Sequence, residues 1–230
     1  MQSNIGKYKV SYFNEQEFHL LKREIFTYDC YYFDSNNPKP LIIDVGSYIG
    51  LSILYFKNIY PNSKVIAFEP ILESFEKLEE NIFINNIQNI ELHNSAILDS
   101  DGEREMYLDS TDLKRFSVAS FKKNAWNNKV PSKKITTKTE KLSKYLKQDV
   151  DLLKLDVEGS EQGILKGVTE YFDNIRNIIL EYHPTNNQSI DKIIDLLNKK
   201  YDITIFYEGK KIKNKIPKDK LLTIKAIYKY

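Results

Sequence analysis

Leu41-Ile42-Ile43-Asp44-Val45-Gly46-Ser47-Tyr48-Ile49-Gly50, followed by Val65-Ile66-Ala67-Phe68-Glu69-Pro70, decides how this chain folds. The first stretch is an apolar run that stops at a glycine, the pattern of a buried strand entering a turn and then a helix. The second is another apolar run, ending on a carboxylate. Glu69 follows the glycine turn by about twenty residues, the separation at which a β-α-β unit sets an acid against a ribose. The pair therefore predicts a site for a nucleoside-bearing ligand.

Working outward, strands alternate with helices. Leu51–Ile59 is expected as a helix closed by Pro61, and Lys64–Glu69 as the second strand. A helix follows from Leu72 to Asn85, then a third strand at Ile90–Asn94. Such alternation implies a parallel sheet with right-handed crossovers. Asp99-Ser100-Asp101-Gly102 carries a hairpin turn signal between Ser95–Leu98 and Arg104–Leu108. Residues 109–132 are polar, Lys133–Thr139 alternates like a strand, and Glu140–Leu146 reads as a short helix. The stretch from about 97 to 139 is thus expected as an insertion beside the sheet. The alternation resumes with a strand at Asp151–Val157, a helix at Ser160–Tyr171 and a strand at Asn177–Tyr182. A helix at Ile190–Lys199, with Ser189 as its N-cap, precedes closing strands at Asp202–Tyr207 and Leu221–Tyr228.

Residues 1–40 read as an N-terminal cap or lead-in to a domain spanning 41–230. It holds a helix from Glu15 to Ile25 and a short aromatic strand, Tyr28–Phe33. A chain of 230 residues suits one α/β domain, and a net charge of +2 gives no global field for nucleic acid. The single cysteine, Cys30, has no internal disulfide partner, which fits a reducing compartment. Three separate histidines and one cysteine make no zinc motif. With no apolar signal core and no membrane-length run, the expected location is the cytoplasm.

The glycine turn discriminates between nucleosides. A dinucleotide site needs G-x-G-x-x-G, whose second glycine lets the backbone approach a pyrophosphate. Tyr48 stands at that position here. S-adenosylmethionine has no phosphate and tolerates a side chain there. Asp44 would meet its ammonium group, directly or through water, and Glu69 would accept from both ribose hydroxyls. A dinucleotide, and a glycine turn with no ligand, stay open at this point.

A second constellation ends the strand Leu152-Leu153-Lys154-Leu155-Asp156-Val157-Glu158. Asp156 and Glu158 share a side if the chain stays extended. Ile178-Ile179-Leu180-Glu181-Tyr182-His183-Pro184 ends the next strand in a similar way. Ligands bind at the carboxyl edge of a parallel sheet, so Asp156, Glu158 and His183 are candidate catalytic groups. His183 suits a general base for a hydroxyl. Glu158 and Glu161 also have a structural explanation, since acids favour a helix start. The same three candidates have donors for a divalent metal, a possibility not favoured here.

Together these motifs resemble the FkbM-type methyltransferases, a class I group dependent on S-adenosylmethionine. The resemblance covers residues 20–185. It rests on the two opening stretches, on Asn81 and Asn85, on Lys154 to Glu161, on Glu181-Tyr182-His183-Pro184, and on the lead-in Arg23–Phe26 with Tyr31–Phe33. It implies a Rossmann-like, mostly parallel seven-stranded sheet with helices on both faces and an antiparallel last strand. It also implies methyl transfer to a hydroxyl of a sugar, glycan or related natural product, free or nucleotide- or lipid-linked. By position, Asp44, Gly46, Ser47, Tyr48, Gly50, Glu69 and Pro70 would hold the cofactor. Asn94, Ser95 and Ala96 would sit by its adenine, and Asp156 and Glu158 would lie near its methyl group and the acceptor. The family usually has Ala-Asn where this chain has Ser47-Tyr48. Two other readings stand beside this one: an NAD-dependent nucleotide-sugar oxidoreductase or epimerase, and a non-catalytic Rossmann-like binding module. The lysine-rich loop from Gly209 to Lys220 reads as a solvated hairpin, with contact to an anionic glycan or carrier as the alternative.

Overall fold

In the computed structural model, residues 1–109, 119–121, 132–213 and 215–229 are described. The chain opens with a hairpin, β1 (Gln2–Ile5) and β2 (Tyr8–Ser11), then α1 (Glu15–Phe26). The first βαβ unit is β3 (Leu41–Val45), α2 (Leu51–Ile59) and β4 (Lys64–Phe68), continued by α3 (Leu72–Ile84) and β5 (Ile90–His93). A side layer follows: β6 (Ala96–Leu98), β7 (Gly102–Asp109), β8 (Ala119–Ser120) and β9 (Ser132–Lys141). The main sheet resumes with β10 (Val150–Leu155), α4 (Glu161–Lys166), β11 (Ile175–Tyr182), α5 (Ile190–Leu197), β12 (Tyr201–Tyr207), β13 (Lys210–Lys211) and β14 (Leu222–Tyr228).

The main sheet runs β13-β12-β14-β11-β10-β3-β4-β5. β14 is antiparallel to both its neighbours, and β11 through β5 are parallel. It has eight strands instead of seven because the lysine-rich hairpin adds the two-residue β13. Alternation along each strand divides the core. Ile43, Val45, Leu153, Leu155, Ile178 and Leu180 meet α4 and α5 on one face. Ile42, Leu152, Ile179, Val65 and Ala67 meet α1, α2 and α3 on the other. The strand order reverses between β3 and β10, so the carboxyl ends of those two strands flank the crevice where such sheets bind ligands.

The N-terminal segment is docked by two side chains that imitate a strand. Asn81 Oδ1 accepts from the Ser11 amide at 2.7 Å, and its Nδ2 donates to the Ser11 and Ile49 carbonyls. Asn85 makes the same reciprocal pair with Lys9. Four residues of helix rise about 6 Å and two residues of strand about 6.8 Å, so amides at i and i+4 of α3 match alternate residues of β2.

Several expectations change. The β1–β2 hairpin was not anticipated, although Tyr8, Val10 and Tyr12 alternate and Gly6 takes φ +55° at its turn. Tyr28–Phe33 is not a strand. Asp29 turns the chain at φ +51°, and Tyr31 and Phe33 bury against Phe56 without a ladder partner. β6 and β7 do not pair with each other across the Asp99–Gly102 turn. The longer β9 lies between them, parallel to β6 and antiparallel to β7, and Thr139 faces both Ala96 and Gly102. The helix expected at Glu140–Leu146 is the end of β9 plus one 3-10 turn, and that at Ser160–Tyr171 stops at Lys166. Positions 110–118 and 122–131 of the anticipated insertion lie outside the described residues. Among the described residues no helix is long and apolar enough to cross a membrane.

Candidate active site

The glycine turn is built by close approach. Gly46 takes φ +82°, and a Cβ there would stand 1.9 Å from the Asp156 carbonyl oxygen. The amides of Gly46 and Ser47 both donate to the Phe68 carbonyl at 3.0 Å, closing the turn onto the end of β4. Tyr48 sits in the left-handed region at φ +48°. That conformation points its amide at Glu69 Oε2, 2.8 Å away, while the Ile71 amide donates to Oε1 at 2.9 Å. The carboxylate is thus aimed by two backbone donors and keeps lone pairs for a ligand. Burial pushes the Glu69 carboxyl up to about 7, opposed by the Ile71 and Tyr48 amides. The Tyr48 side chain turns away toward the N-terminal segment: its hydroxyl donates to Glu17 at 2.6 Å and its ring tilts against Phe13.

Asp44 is not placed to meet a ligand directly. It is 0% exposed, and it faces Lys154 across the β3–β10 register. Lys154 Nζ lies 3.2 Å from Asp44 Oδ1, and Ser52 donates to Oδ2 at 2.6 Å. The ammonium also donates to the Gly46 carbonyl at 2.6 Å and stands 5.3 Å from the centre of the Tyr31 ring. Burial alone would push this ammonium toward neutrality. Asp44, then Asp156 and Glu181, outweigh that and raise its pKa. Lys154 is the organising residue that sequence reasoning passed over. Its signal was a lysine in mid-run of a strand buried on both faces.

The acidic edge does assemble. One donor atom each from Asp156, Glu158 and His183 lies within 4.8 Å of the others. The strand stops at Leu155, and Glu158 reaches the site from a left-handed turn at φ +54°. His183 Nδ1 donates to Glu161 Oε1 at 2.9 Å; its Nε2 is 3.4 Å from Glu158 and 3.9 Å from Asp156. Glu161 is 0% exposed and is held in turn by Gln188 and the Gly159 amide. Burial pulls the His183 imidazole down, but Glu158, the Glu161 hydrogen bond and Asp156 push it up to about 10. Burial also raises Glu158, with the imidazolium opposing. Beside them, Tyr31 donates to Glu181 at 2.9 Å.

These groups surround a cavity of about 330 Å³, lined by Gly46, Ser47, Tyr48, Glu69, Pro70, Ser95, Ala96, Asp156, Glu158 and His183. Phe68, Ile71 and Ile97 supply an apolar end, and Glu24 and Glu181 join the acidic end. Three expected cofactor residues stand behind the wall. Asp44 is sealed by Lys154. Gly50 starts α2 at φ +87°, where a Cβ would press on Leu78. Asn94 donates to the Glu69 and Pro70 carbonyls and so sets the turn after β4. A nucleoside with a cationic tail fits this donor set. An apolar slot suits a base, a buried carboxylate suits ribose hydroxyls, and the far wall is acidic. A pyrophosphate fits poorly, because among the described residues the only basic side chains lining the cavity, Lys154 and His183, are already paired.

The family model described as "Methyltransferase FkbM domain" matches residues 44–203. The chain belongs to the FkbM methyltransferase family. Methyltransferase sdnD of Sordaria araneosa is 28% identical over 228 residues, covering 85% of this chain and 87% of that protein. The 31-O-demethyl-FK506 methyltransferase FkbM of Streptomyces tacrolimicus is 28% identical over 217 residues, covering 82% and 83%. Among solved structures, Methyltransferase FkbM from Methylobacillus flagellatus superposes with a TM-score of 0.57 at 13% identity; the match covers 84% of this chain and 45% of that one. A fibrillarin/Nop5p complex gives 0.53 at 12% identity, over 99% of this chain and 97% of its own. The fold is the class I Rossmann-like methyltransferase fold.

Proposed function

We propose that this FkbM-family methyltransferase uses S-adenosylmethionine to methylate a hydroxyl of a sugar, glycan or related natural product. The observation that carries it is the switch-point cavity, with Glu69 aimed by two amides at one end and an acidic edge at the other. A curated relative named for a demethyl-FK506 substrate supports a hydroxylated natural product as acceptor. When bound, S-adenosylmethionine supplies a methyl carbon already activated by its sulfonium. The chain's own work is alignment and proton handling. Glu69 holds the ribose hydroxyls, and the Gly46–Tyr48 turn underlies the ribose and methionyl part. Asp156 would take the acceptor hydroxyl proton on a carboxylate oxygen as the acceptor oxygen bonds the methyl carbon and the methyl–sulfur bond breaks, with S-adenosylhomocysteine leaving. His183, held protonated between Glu158 and Glu161, stabilises that carboxylate edge and orients it, so of the two candidate bases, Asp156 and His183, Asp156 takes the role.

Two expected results test this reading. S-adenosylhomocysteine should bind in calorimetry and release protons near pH 7. Ribose donors favour ionised Glu69, whose carboxyl burial pushes up to about 7. Affinity should therefore weaken as pH falls below that value, by up to about tenfold per unit, and Glu69→Gln should flatten the dependence. No heat of binding at any pH would end the cofactor assignment. Asp156→Asn should then lower kcat about a hundredfold while leaving the affinity for S-adenosylhomocysteine within about threefold, about 0.7 kcal/mol. A variant with parental kcat removes Asp156 as base.

A further inference from the structure

We propose, building on the methyl-transfer reading above, that the acceptor is a neutral amphipathic polyol. Its hydroxyl-bearing head sits among Glu24, Asp156 and Glu181, and its apolar body lies across Leu20, Leu21 and Leu221 at the cavity mouth.

Helix α1 brings Leu20, Leu21 and Glu24 to the cavity from the N-terminal segment, at i, i+1 and i+4, one face of a helix. Glu24 is half-buried there, and among the described residues its side chain makes no hydrogen bond or ion pair. Burial raises its carboxyl pKa, opposed by Arg23 and reinforced by Asp156. A half-buried carboxylate facing a cavity without a partner is suited to accept from ligand hydroxyls. The charge balance sets the second property. Among the described residues two basic groups line the cavity and both are engaged, Lys154 by Asp44 and His183 by Glu161. A phosphate or carboxylate on the acceptor would thus meet acids, with no free cation among the described lining residues. The rim sets the third. Leu20 is 44% and Leu221 50% exposed, although both border the cavity. Leucines exposed on the rim of a concave site offer apolar surface for a ligand to cover. They are more exposed than Glu24, Asp156 and Glu181, which are all half-buried, so a single acceptor reaching both surfaces carries its hydroxyls at the inner end and its apolar part at the outer one.

The test uses the full chain saturated with S-adenosylhomocysteine, titrated with three probes below micellar concentration: methyl β-glucoside, octyl β-glucoside and octyl β-glucuronide. Octyl glucoside is expected to bind at least about tenfold more tightly than methyl glucoside, since each buried methylene contributes favourably. Octyl glucuronide should bind at least about tenfold more weakly than octyl glucoside. Leu20→Ser combined with Leu221→Ser, both at exposed positions, should abolish the octyl preference and leave methyl glucoside unchanged. Glu24→Gln should weaken both glucosides equally and relax the discrimination against the glucuronide. Equal binding of the two glucosides, an octyl preference that survives both serines, or no glycoside binding by protein that still binds S-adenosylhomocysteine overturns this inference. Failure to bind S-adenosylhomocysteine at all would instead overturn the cofactor reading beneath it.

Discussion

Lys154→Met is expected to destabilise the protein by about 3–5 kcal/mol, the cost of stranding a buried charge. The lysine is 2% exposed, and Asp44, its partner across the register, is 0% exposed. Methionine fills a similar volume, so the loss is electrostatic rather than a cavity effect. Removing the cation leaves Asp44 with Ser52 as its one side-chain donor among the described residues, and leaves Asp156 and Glu181 with His183 as their remaining shared counter-charge. It also frees the Gly46 carbonyl that the ammonium holds at 2.6 Å. Adding Asp44→Asn should recover at least half of the lost stability, because the stranded charge disappears with it. Urea unfolding of the parent, both single variants and the double variant measures the coupling. If Lys154→Met costs less than about 1 kcal/mol, the pair behaves like a surface ion pair and the buried-network reading is wrong.

Gly46→Ala should cost more than about 4 kcal/mol, beyond the ordinary range of single substitutions. Two penalties combine at one atom. An alanine at φ +82° is strained, and its Cβ would lie 1.9 Å from the Asp156 carbonyl, closer than any real contact. The carbonyl cannot yield cheaply, because the Asp156 amide is tied to the Val45 carbonyl at 3.0 Å in the same pair of strands. Relief requires the ends of β3 and β10 to part, which opens the switch-point crevice and displaces Asp156. Gly6→Ala is the matched control. Gly6 is also left-handed, at φ +55°, but nothing lies within 4 Å of a Cβ there. It should cost only about 1–2 kcal/mol of backbone strain. Similar thermal shifts for the two variants would show that close approach at Gly46 is not what matters.

Much of the fold was legible because its strands are buried on both faces and its turns carry their own chemistry. The runs ending at Gly46 and Glu69 could be placed without any tertiary information, and the structure brings Gly46 and Glu69 onto one cavity. The side layer was misread for a physical reason. A turn at Asp99–Gly102 reports where the chain reverses, not which strand it then pairs with, and the ten-residue β9 outcompetes β7 for β6. The N-terminal hairpin was missed because its docking is made by amide side chains of a distant helix, Asn81 and Asn85. The role of Tyr48 was likewise hidden. Its backbone serves Glu69 while its side chain reaches Glu17, a partner supplied by α1.

The order of residues alone settles the face on which each strand residue falls, since that follows from a period of two. Asp44 and Lys154 therefore had to share sides with Ile42 and Leu152. It also determined that a glycine turn and an acid one strand later would stand at the carboxyl edge. Which residue sits beside which is a property of register, and register is set only when separate strands pair. That step matched Asp44 to Lys154 and so set Asp44 behind the cavity wall. It gathered Asp156, Glu158 and His183 at one edge with Glu161 behind them. It brought Glu24, from the N-terminal segment, to the same acidic end of the cavity.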